Sequence, residues 1–503
     1  MNTFSFKNIL CIAMMLVSLF TTNAAMADGL IAGVAKIDIT HPNGLINDRS
    51  YVRALVIRND ETTVVIVSVD VVAIGEIGRI KNSYLGNVRT QIEKELGIKP
   101  QNMLFNASHC HSIICDNHQE LTIKAIKQAA TNMVPVTVGV GSGHEDRIQE
   151  NRRLIMADGS EVDVRHAYSL PPDAEVAKVG PIDPEIGILR LNRADGRTLA
   201  VVYQFACHPI QGAPNGGNTA DITGFSSQVI EENLDAGTIA LFLQGCGGDI
   251  NPAHYKDVDY PRDAQPQGNL LGLSTLKALR NIDCNTDNRI KVINEVIELP
   301  GANYSQRITR MEDEQLRLMN SLRGTTLNLK SFMPLAVKYK LSEKYPATHS
   351  FEYLQEDKIG KTGLKKLDSV NRNNIKQYMK NIYTMEQLTR VNTNLRLLKK
   401  HQAAMLKSGK RNVDVELVGL RIGDFVLLTF PGELTVQIGL NLKKASPHKK
   451  TFISGYTNGY IYYAPTAKQL LNPWGAQEDC DSLLAPEWQN IFETKSIEIL
   501  GKL

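Results

Sequence analysis

Residues 198–243, TLAVVYQFACHPIQGAPNGGNTADITGFSSQVIEENLDAGTIALFL, contain the pattern that decides the fold. Two runs in this stretch, Thr198–Phe205 and Thr238–Leu243, are rich in residue types that favour β-strands. Between them, Gly224–Asn233 has its apolar residues at helical spacing. A strand, a helix and a second strand in this order predict an α/β domain in which helices cover a sheet.

The same alternation continues on both sides of this stretch. Strand character returns late in the chain, at Val413–Phe430 and Thr451–Ile453. We therefore expect one α/β domain spanning residues 28–503, with β-sheets covered by helices. The further predicted strands are Tyr51–Ile57, Thr63–Val69, Val134–Val140 and Ile186–Leu191, and the further predicted helices are Asn87–Leu96 and Glu120–Asn132.

A helical segment, residues 304–407, interrupts the predicted sheets. Apolar residues recur there every three or four positions between Ile375 and Leu398, which indicates a long amphipathic helix. Such a stripe can face a core or bind a partner. We favour a packing layer, because the apolar stripe of most helices faces a core.

The first 27 residues have the pattern of a secretory signal peptide. Lys7 precedes an apolar run, Ile9–Phe20, and the small-residue pattern Ala25-Met26-Ala27 marks a cleavage site before Asp28. The apolar run is too short to span a bilayer, which needs about 20 residues, so a cleaved signal is preferred to a membrane anchor. We expect a secreted or periplasmic protein with no transmembrane segment after cleavage.

The composition excludes several classes of protein. The chain has 503 residues, of which 43% are hydrophobic and 22% are charged, and its formal net charge is +3. Its 56 basic residues scarcely exceed its 53 acidic residues, so no surplus of positive charge is available for a nucleic-acid backbone. Disorder is also excluded, because the hydrophobic fraction is that of a globular protein.

Cysteines remain in the chain after the signal peptide is removed, and in an oxidising compartment they allow up to three disulfides. The sequence does not determine their pairing. No Cys-x-x-Cys pair indicates a cysteine zinc site. The cysteines are Cys110, Cys115, Cys207, Cys246, Cys284 and Cys480.

Histidines follow two apolar runs, Met103–Phe105 and the predicted strand Thr198–Phe205, and are the first candidates for a functional site. The stretch 106–112 reads NASHCHS, and continuation of a strand through it would place His109 and His111 on one face and Cys110 on the other. Two imidazoles on one face can hold a divalent metal or share acid and base work; alternatively, they are polar residues at a strand end. His208 follows another strand and favours the metal, because zinc prefers imidazole. A buried histidine with one backbone partner is the competing interpretation.

Further candidates lie in loops and at strand ends. Asp221 can orient a ligating imidazole or cap the following helix, and capping is preferred. The three glycines of residues 245–248 let the backbone approach a substrate or a neighbouring strand. They do not form a phosphate loop, because no Lys-Ser/Thr pair follows. Glu433 and the tyrosine-rich residues 456–463 each follow a predicted strand.

The order of these blocks resembles the catalytic domain of the neutral (alkaline, non-lysosomal) ceramidase family. That family carries the blocks Thr-His-Thr-His-Ser-Gly-Pro-Gly, Phe-Ala-Val-His-Pro, Ser-Asp-Asn-Lys-Gly, Asn-x-Gly-Asp-Val-Ser-Pro-Asn, Pro-Gly-Glu and Ile-Ser-Gly with a later Tyr. The counterparts here, in the same order, are ASHCHS (107–112), FACHP (205–209), TADITG (219–224), QGCGGDINP (244–252), PGE (431–433) and ISGYTNGYIYY (453–463). Six ordered blocks are far more specific than any one of them.

In that family two His, one Glu and one Tyr hold a catalytic zinc ion. For the tyrosine ligand the resemblance implies Tyr463, with Tyr460 as the alternative. It also implies that His111 lies near the substrate carbonyl and that Arg152, in the stretch ENRR, corresponds to a pocket arginine. The ligands that the resemblance implies are His109, His208, Glu433 and Tyr463.

The resemblance implies a secreted, zinc-dependent amidohydrolase that cleaves an N-acyl amide, either ceramide or a related N-acyl amine, with a zinc-activated water. One alternative is a zinc hydrolase of another acylated substrate, an ester or a sugar-linked amide. The other is a non-catalytic secreted binding protein on the same fold. The expected partner is a small lipid-like or acylated-amine substrate, and contact with a membrane surface is left open.

Two departures from the family affect these expectations. The stretch Ser112–His118, SIICDNH, replaces Ser-Gly-Pro-Gly and predicts a bulkier loop beside the pocket. Long ceramidases also carry a C-terminal β-sandwich domain, which we do not expect in the 40 residues after Tyr463.

Overall fold

The structure, a computed structural model, describes residues 29–163, 171, 173–255, 257–342, 344–472 and 475–503. The predicted signal peptide, residues 1–27, lies outside the described residues. None of the helices in these ranges is both long enough and apolar enough to cross a membrane.

Strands and helices alternate through most of the chain, as predicted. The strands are β1 (Leu30–Asp38), β2 (Tyr51–Arg58), β3 (Thr63–Val69), β4 (Met103–Ala107), β5 (Val134–His144), β6 (Gln149–Asn151), β7 (Arg153–Met156), β8 (Glu161–Asp163), β9 (Val176–Val179), β10 (Glu185–Arg193), β11 (Thr198–Phe205), β12 (Ile239–Gln244), β13 (Ile250–Pro252), β14 (Ile290–Pro300), β15 (Asn412–Ile422), β16 (Phe425–Thr429), β17 (Glu433–Leu434), β18 (Thr451–Ser454) and β19 (Tyr463–Ala464). The helices are α1 (Ser83–Leu96), α2 (His118–Thr131), α3 (Asp221–Glu232), α4 (Gln265–Leu279), α5 (Ser305–Ser321), α6 (Leu329–Leu341), α7 (Phe351–Lys358), α8 (Gly363–Ser408), α9 (Val436–Ala445), α10 (Ala467–Leu470), α11 (Gln477–Cys480) and α12 (Trp488–Lys502).

The largest sheet has eight strands in the order β12-β11-β10-β5-β1-β2-β3-β4. Within it, β11 pairs with β12 in parallel, and β3 pairs with β4 in parallel. The strand, helix and strand predicted for residues 198–243 are therefore present as β11, α3 and β12. A second sheet has the order β14-β15-β16-β18. The predicted run Val413–Phe430 is split there into two antiparallel strands, because Gly423 turns the chain with a φ of 56°.

The two sheets pack face to face, and helices cover their outer faces. Between the sheets, Leu55 and Leu189 belong to the same apolar cluster as Leu420 and Phe452. Helices α1 and α2, together with α3 and α4, cover the other face of the large sheet. Helices α9 and α12 cover the other face of the second sheet. The predicted α/β fold, with sheets covered by helices, is confirmed.

The helical segment predicted for residues 304–407 is present as α5 to α8. Its main element, α8, runs for 46 residues and extends beyond both ends of the predicted stripe. The buried apolar residues of this helix, from Leu388 to Leu398, all lie in its second half. Met385 belongs to the same stripe but is 52% exposed. The second half of α8 is thus the packing layer we expected, whereas much of the first half faces solvent.

All six cysteines lie within the described residues, and all six are free thiols. None of the disulfides that the sequence allowed is therefore formed. Three of the cysteines belong to separate apolar clusters. Cys246 packs under the second sheet, Cys207 under the large sheet, and Cys480 against the helical segment.

Candidate metal centre

The candidate site lies where strands of both sheets end. In the large sheet, His109 follows β4 and His208 follows β11. In the second sheet, Glu433 follows β16, and a tyrosine-rich loop follows β18. Because the two sheets pack face to face, these loops meet at one edge, as is usual for sites at the carboxyl ends of parallel strands.

The side chain of Asn106, the fourth residue of β4, forms hydrogen bonds with β12 and β18 and so connects the ends of three strands. Its oxygen accepts the backbone N–H of Gln244 in β12 at 2.8 Å. Its amide donates to the Oγ of Ser454 in β18 at 3.1 Å. A buried amide with partners on both sheets keeps the loops that follow in a constant relation to one another.

The paired histidines do not continue the strand, which ends at Ala107. His109 has a φ of 70°, and this left-handed conformation turns its ring towards the site. The two rings nevertheless lie together, with centroids of His109 and His111 5.8 Å apart. Cys110 is buried, and Ser108 donates a hydrogen bond to its sulfur. Cys110 is not one of the residues that form a possible metal group with His109 in the described part of the chain.

Three buried side chains bring possible ligand atoms together. The Nε2 of His208 lies 3.0 Å from Oε2 of Glu433, and the Nε2 of His109 lies 3.6 Å from Oε1 of the same carboxylate. One ligand atom from each residue lies within 4.8 Å of the other two. Residues far apart in the chain thus form a single group that could hold a metal ion.

The hydrogen bonds of the two imidazoles define which nitrogens face the group. The Nδ1 of His109 lies 2.6 Å from the carbonyl oxygen of Val72, and the Nδ1 of His208 lies 3.0 Å from that of Ile250. A carbonyl oxygen only accepts, so each Nδ1 carries a proton. This is the arrangement of a histidine that ligates a metal through its other nitrogen. Each Nε2 then presents a lone pair towards a carboxylate, and such acceptors repel one another unless a cation lies between them.

The acidities of these groups agree with that geometry. Burial lowers the pKa of His109 to about 4 and also lowers the pKa of His208, which keeps both rings neutral. Burial opposes the ionisation of Glu433, but hydrogen bonds to its carboxylate, among them that from the Tyr460 hydroxyl, lower its pKa and favour the ionised form. Neutral imidazoles and an ionised carboxylate are the states in which these groups bind metals.

Three tyrosines surround the carboxylate of Glu433. The hydroxyl of Tyr460 donates to Oε1 at 2.5 Å, and the hydroxyl of Tyr456 donates to Oε2 at 3.2 Å. Tyr463 is the register partner of Glu433 in the short parallel pair of β17 and β19. Its hydroxyl accepts a hydrogen bond from Nη2 of Arg152 at 3.3 Å. The structure therefore brings both sequence candidates, Tyr460 and Tyr463, to the site.

Arg152 is buried beside the site and has an acidic partner that the sequence did not reveal. Its Nε lies 2.8 Å from a carboxylate oxygen of Glu478 in α11. Its Nη2 donates to the carbonyl oxygen of Gly248 at 2.5 Å, and its Nη1 donates to Oδ1 of Asn251 at 3.1 Å. The guanidinium is thereby held with one edge towards Tyr463.

Comparisons with known proteins agree with this architecture. No family model matches the chain, and no curated protein matches it. Among solved structures, a ceramidase complexed with C2 is similar, at a TM-score of 0.58 and 14% sequence identity. The neutral ceramidase from Pseudomonas aeruginosa is similar at a TM-score of 0.58 and 16% identity, and each match covers 94% of this chain and 75% of the solved chain. The chain has the neutral ceramidase fold.

Within the neutral ceramidase fold, the glycine-rich loop after β12 lies in close contact with strand β17. The N–H of Gly248 donates to the carbonyl oxygen of Leu434 at 2.9 Å. A Cβ at position 248 would lie 2.6 Å from the carbonyl oxygen of Glu433. The sequence allowed these glycines to approach either a substrate or a neighbouring strand. In the structure Gly248 lies against a neighbouring strand. The glycine permits the loop that supports Arg152 to touch the strand that carries Glu433.

The cap that we preferred for Asp221 is not formed: Ala220 holds the N-cap position of α3, without a side-chain cap, and Asp221 follows it. Asp221 is the first residue of α3, and its φ is 58°. Its carboxylate accepts the N–H groups of Gln211 at 3.2 Å, Gly212 at 2.6 Å and Ile222 at 2.8 Å. Burial raises its pKa to about 6. These bonds hold the loop after His208 against the start of the helix.

Proposed function

We propose that this chain is a zinc-dependent amidohydrolase that cleaves the N-acyl amide of ceramide or of a related N-acyl amine. The observation that carries the proposal is the convergence of His109, His208 and Glu433 as three buried acceptors in a neutral ceramidase fold. Two imidazoles and one carboxylate are a common ligand set of catalytic zinc, and they leave a further coordination position open.

The residues around the three acceptors fit such an ion. Tyr460 is engaged as a hydrogen-bond donor to Glu433, so we assign it the task of holding that carboxylate. Tyr463 lies beside Glu433 in the short parallel pair, and we propose it as the fourth ligand. When bound, zinc lowers the pKa of a water molecule to about 7 and polarises a carbonyl group.

The proposed reaction needs a group that moves a proton and a group that stabilises negative charge. The ring of His111 lies beside that of His109, with centroids 5.8 Å apart, and loss of hydration there, together with the nearby His109, lowers its pKa to about 4. Its neutral ring is the group we assign to proton transfer between water and the leaving amine. The guanidinium of Arg152 stays charged, and with Tyr463 it can donate hydrogen bonds to the oxyanion that forms at the scissile carbonyl.

We also propose that the chain acts outside the cytoplasm after residues 1–27 are removed. The basic residue, short apolar run and small-residue pattern of that segment support the proposal. A substrate that is uncharged and lipid-like is compatible with the near-neutral charge of the chain.

A second candidate is a zinc hydrolase of another acylated substrate, an ester or a sugar-linked amide. The observation that favours it is the loop after the paired histidines. Ile113 is 47% exposed there, directly after Ser112, in the part of the block where the ceramidases have Ser-Gly-Pro-Gly. A bulky side chain two residues after His111 is expected to leave less room for a two-chain lipid than a glycine would.

The test is a hydrolysis panel on the purified chain that starts at Asp28. The substrates are a fluorogenic N-acyl-sphingosine and an acyl ester of the same chain length, each assayed before and after dialysis against a chelator. We expect amide cleavage that stops on chelation and returns with zinc. Ester cleavage alone would favour the second candidate. Full turnover by metal-free protein, or zinc-loaded protein that cleaves neither substrate, would reject zinc-dependent hydrolysis.

A further inference from the structure

Helix α6 presents an apolar face to solvent. Four of its residues recur at every fourth position on that face, and each is at least half exposed. They are Leu329 (61%), Met333 (51%), Val337 (50%) and Leu341 (82%). A spacing of four residues places them along one side of the helix. An outward stripe of this kind is unusual for a helix on the surface of a soluble domain, whose apolar residues normally face inward.

The opposite face of α6 already has its packing partner. Phe332 is buried, and its ring stacks on Tyr378 of α8 with centroids 4.3 Å apart. Tyr339 lies under the guanidinium of Arg372, 4.5 Å from its ring centroid. These contacts set the rotation of α6 about its axis. The outward stripe is therefore available for a partner without any rearrangement of the helix.

Basic side chains accompany the stripe. Lys330, Lys338 and Lys340 of α6 are exposed, and the helix contains no acidic residue. The surrounding stretch 323–344 has five basic residues and one acidic residue. This local excess contrasts with the chain as a whole, which is nearly neutral. Long lysine side chains can lie along an apolar surface while their ammonium groups reach a layer of negative charge.

We propose that the outward face of α6 docks on the surface of an anionic lipid bilayer. Apolar side chains on one face of a helix, with lysines beside them, are the features that let a helix lie in the headgroup region of a membrane. Anionic headgroups complement the lysines, and the four apolar side chains reach the acyl boundary. The docking site rests on α6 alone and does not depend on the proposed hydrolase function.

The test is flotation of the full mature chain with vesicles at low ionic strength. One set of vesicles is pure phosphatidylcholine, and the other contains one third phosphatidylglycerol. We expect binding to the anionic vesicles at least tenfold stronger than to the neutral ones. Replacement of two outermost residues, Leu329→Ser with Leu341→Ser, should weaken binding to the anionic vesicles about tenfold or more, because two large apolar side chains no longer leave water.

The matched control replaces two apolar residues of similar exposure elsewhere, Val296→Ser with Leu406→Ser, which are 67% and 73% exposed. This variant should bind vesicles as the unchanged chain does. Replacement of all three lysines by glutamine should weaken binding by roughly a hundredfold, since each lysine near an anionic surface contributes about fivefold.

Three results would overturn the docking proposal. The first is that the two double variants float equally well with anionic vesicles, and the second is that the unchanged chain does not bind these vesicles. The third is that the chain binds immobilised polyglutamate but not the vesicles. The last would assign the stripe to an acidic protein. Hydrolysis of a soluble short-chain amide is measured in parallel, and both double variants should keep the unchanged rate. A failure of docking is thereby separated from a failure of the proposed catalysis.

Discussion

The strand ends at the candidate site bury charged side chains, whereas the helical segment exposes apolar ones. At the strand ends, charged side chains are buried: Arg152 is 4% exposed, Glu433 1% and Glu478 0%. In the helical segment, large apolar side chains face water: Leu341 is 82% exposed and Phe351 78%. Burying charge costs free energy even when the charge is paired, and exposing apolar surface forgoes its burial. Neither arrangement is explained by the stability of the isolated chain.

The contrast shows that the two regions were shaped by different contacts. At the strand ends, the ligand atoms of His109, His208 and Glu433 converge in a group that could hold a metal ion. The exposed stripe lies on α6, whose other face packs against α8. The two regions should therefore respond differently to substitution. Changes at the strand ends should alter metal binding and activity, and changes in the helical segment should alter folding where they fall on its buried face.

The largest effect is expected at the strand ends. His109→Ala removes one of three converging acceptors, and kcat/KM for the amide should fall by about a thousandfold or more, because a metal ion supplies several kcal/mol of transition-state stabilisation. Bound zinc, measured by elemental analysis, should fall in parallel. The matched control is His144→Ala, whose side chain is 66% exposed. Unchanged zinc content and activity in His109→Ala would remove the basis for the metal site.

The two halves of α8 provide the next comparison. Leu398 is completely buried in the second half, whereas Leu367 in the first half is 53% exposed. Leu398→Ala should lower the free energy of unfolding by about 3 kcal/mol, since it leaves a cavity. Leu367→Ala should change it by less than about 0.5 kcal/mol. Urea unfolding measures both. Equal losses would mean that the first half of the helix is covered in solution by an element of the same chain.

This helix also shows where sequence analysis reached its limit. Spacing every three or four residues is a local property, so it predicts the helix and its apolar side. Whether that side is covered depends on segments far along the chain. Leu388 and Leu395 are covered by packing against α5, and Met385, in the same stripe, is not. The prediction of a packing layer was therefore right for one half of α8 and wrong for part of the other.

The site was predictable to the extent that its residues follow strands. His109, His208 and Glu433 each stand just after an apolar run, and the order of blocks resembled a family with such a site. Tyr456 also follows a predicted strand, but nothing distinguished it from the other tyrosines of its block, and Glu478 had no comparable signal. Tyrosines are common in strands, and an acidic residue near the end of a chain is usually solvated. Only the folded chain shows that the first donates to Glu433 and that the second holds Arg152.

The third comparison concerns glycines of the two regions. Gly248→Ala would place a Cβ 2.6 Å from a backbone oxygen of Glu433, whereas a Cβ on Gly324, between α5 and α6, meets nothing within 4 Å. Gly248→Ala should lower the free energy of unfolding by about 2 kcal/mol, because backbone on one side must move. It should also weaken zinc binding. Gly324→Ala should do neither. Thermal unfolding and zinc titration check both variants, and a neutral Gly248→Ala would show that the loop is not held against the strand.

The smallest effect is expected for Tyr460→Phe, and it distinguishes a ligand from a residue that holds a ligand. Tyr460 donates its hydroxyl to Glu433, while Tyr463 pairs with Glu433 in register and contacts Arg152. If Tyr460 only orients the carboxylate, its replacement should weaken zinc binding about tenfold, as is usual for hydrogen-bond partners of metal ligands. The exposed Tyr383, in the helical segment, supplies the control Tyr383→Phe, which should not change zinc affinity.

Tyr463→Phe completes this test, because it removes the proposed fourth ligand and one hydrogen-bond partner of Arg152 together. Its kcat should therefore fall by a larger factor than that of Tyr460→Phe, measured with both proteins saturated with zinc. The reverse order, with Tyr460→Phe the more damaging at saturating zinc, would assign the ligand role to Tyr460. The carboxylate of Glu433 would then be held by Tyr456 alone among the three tyrosines.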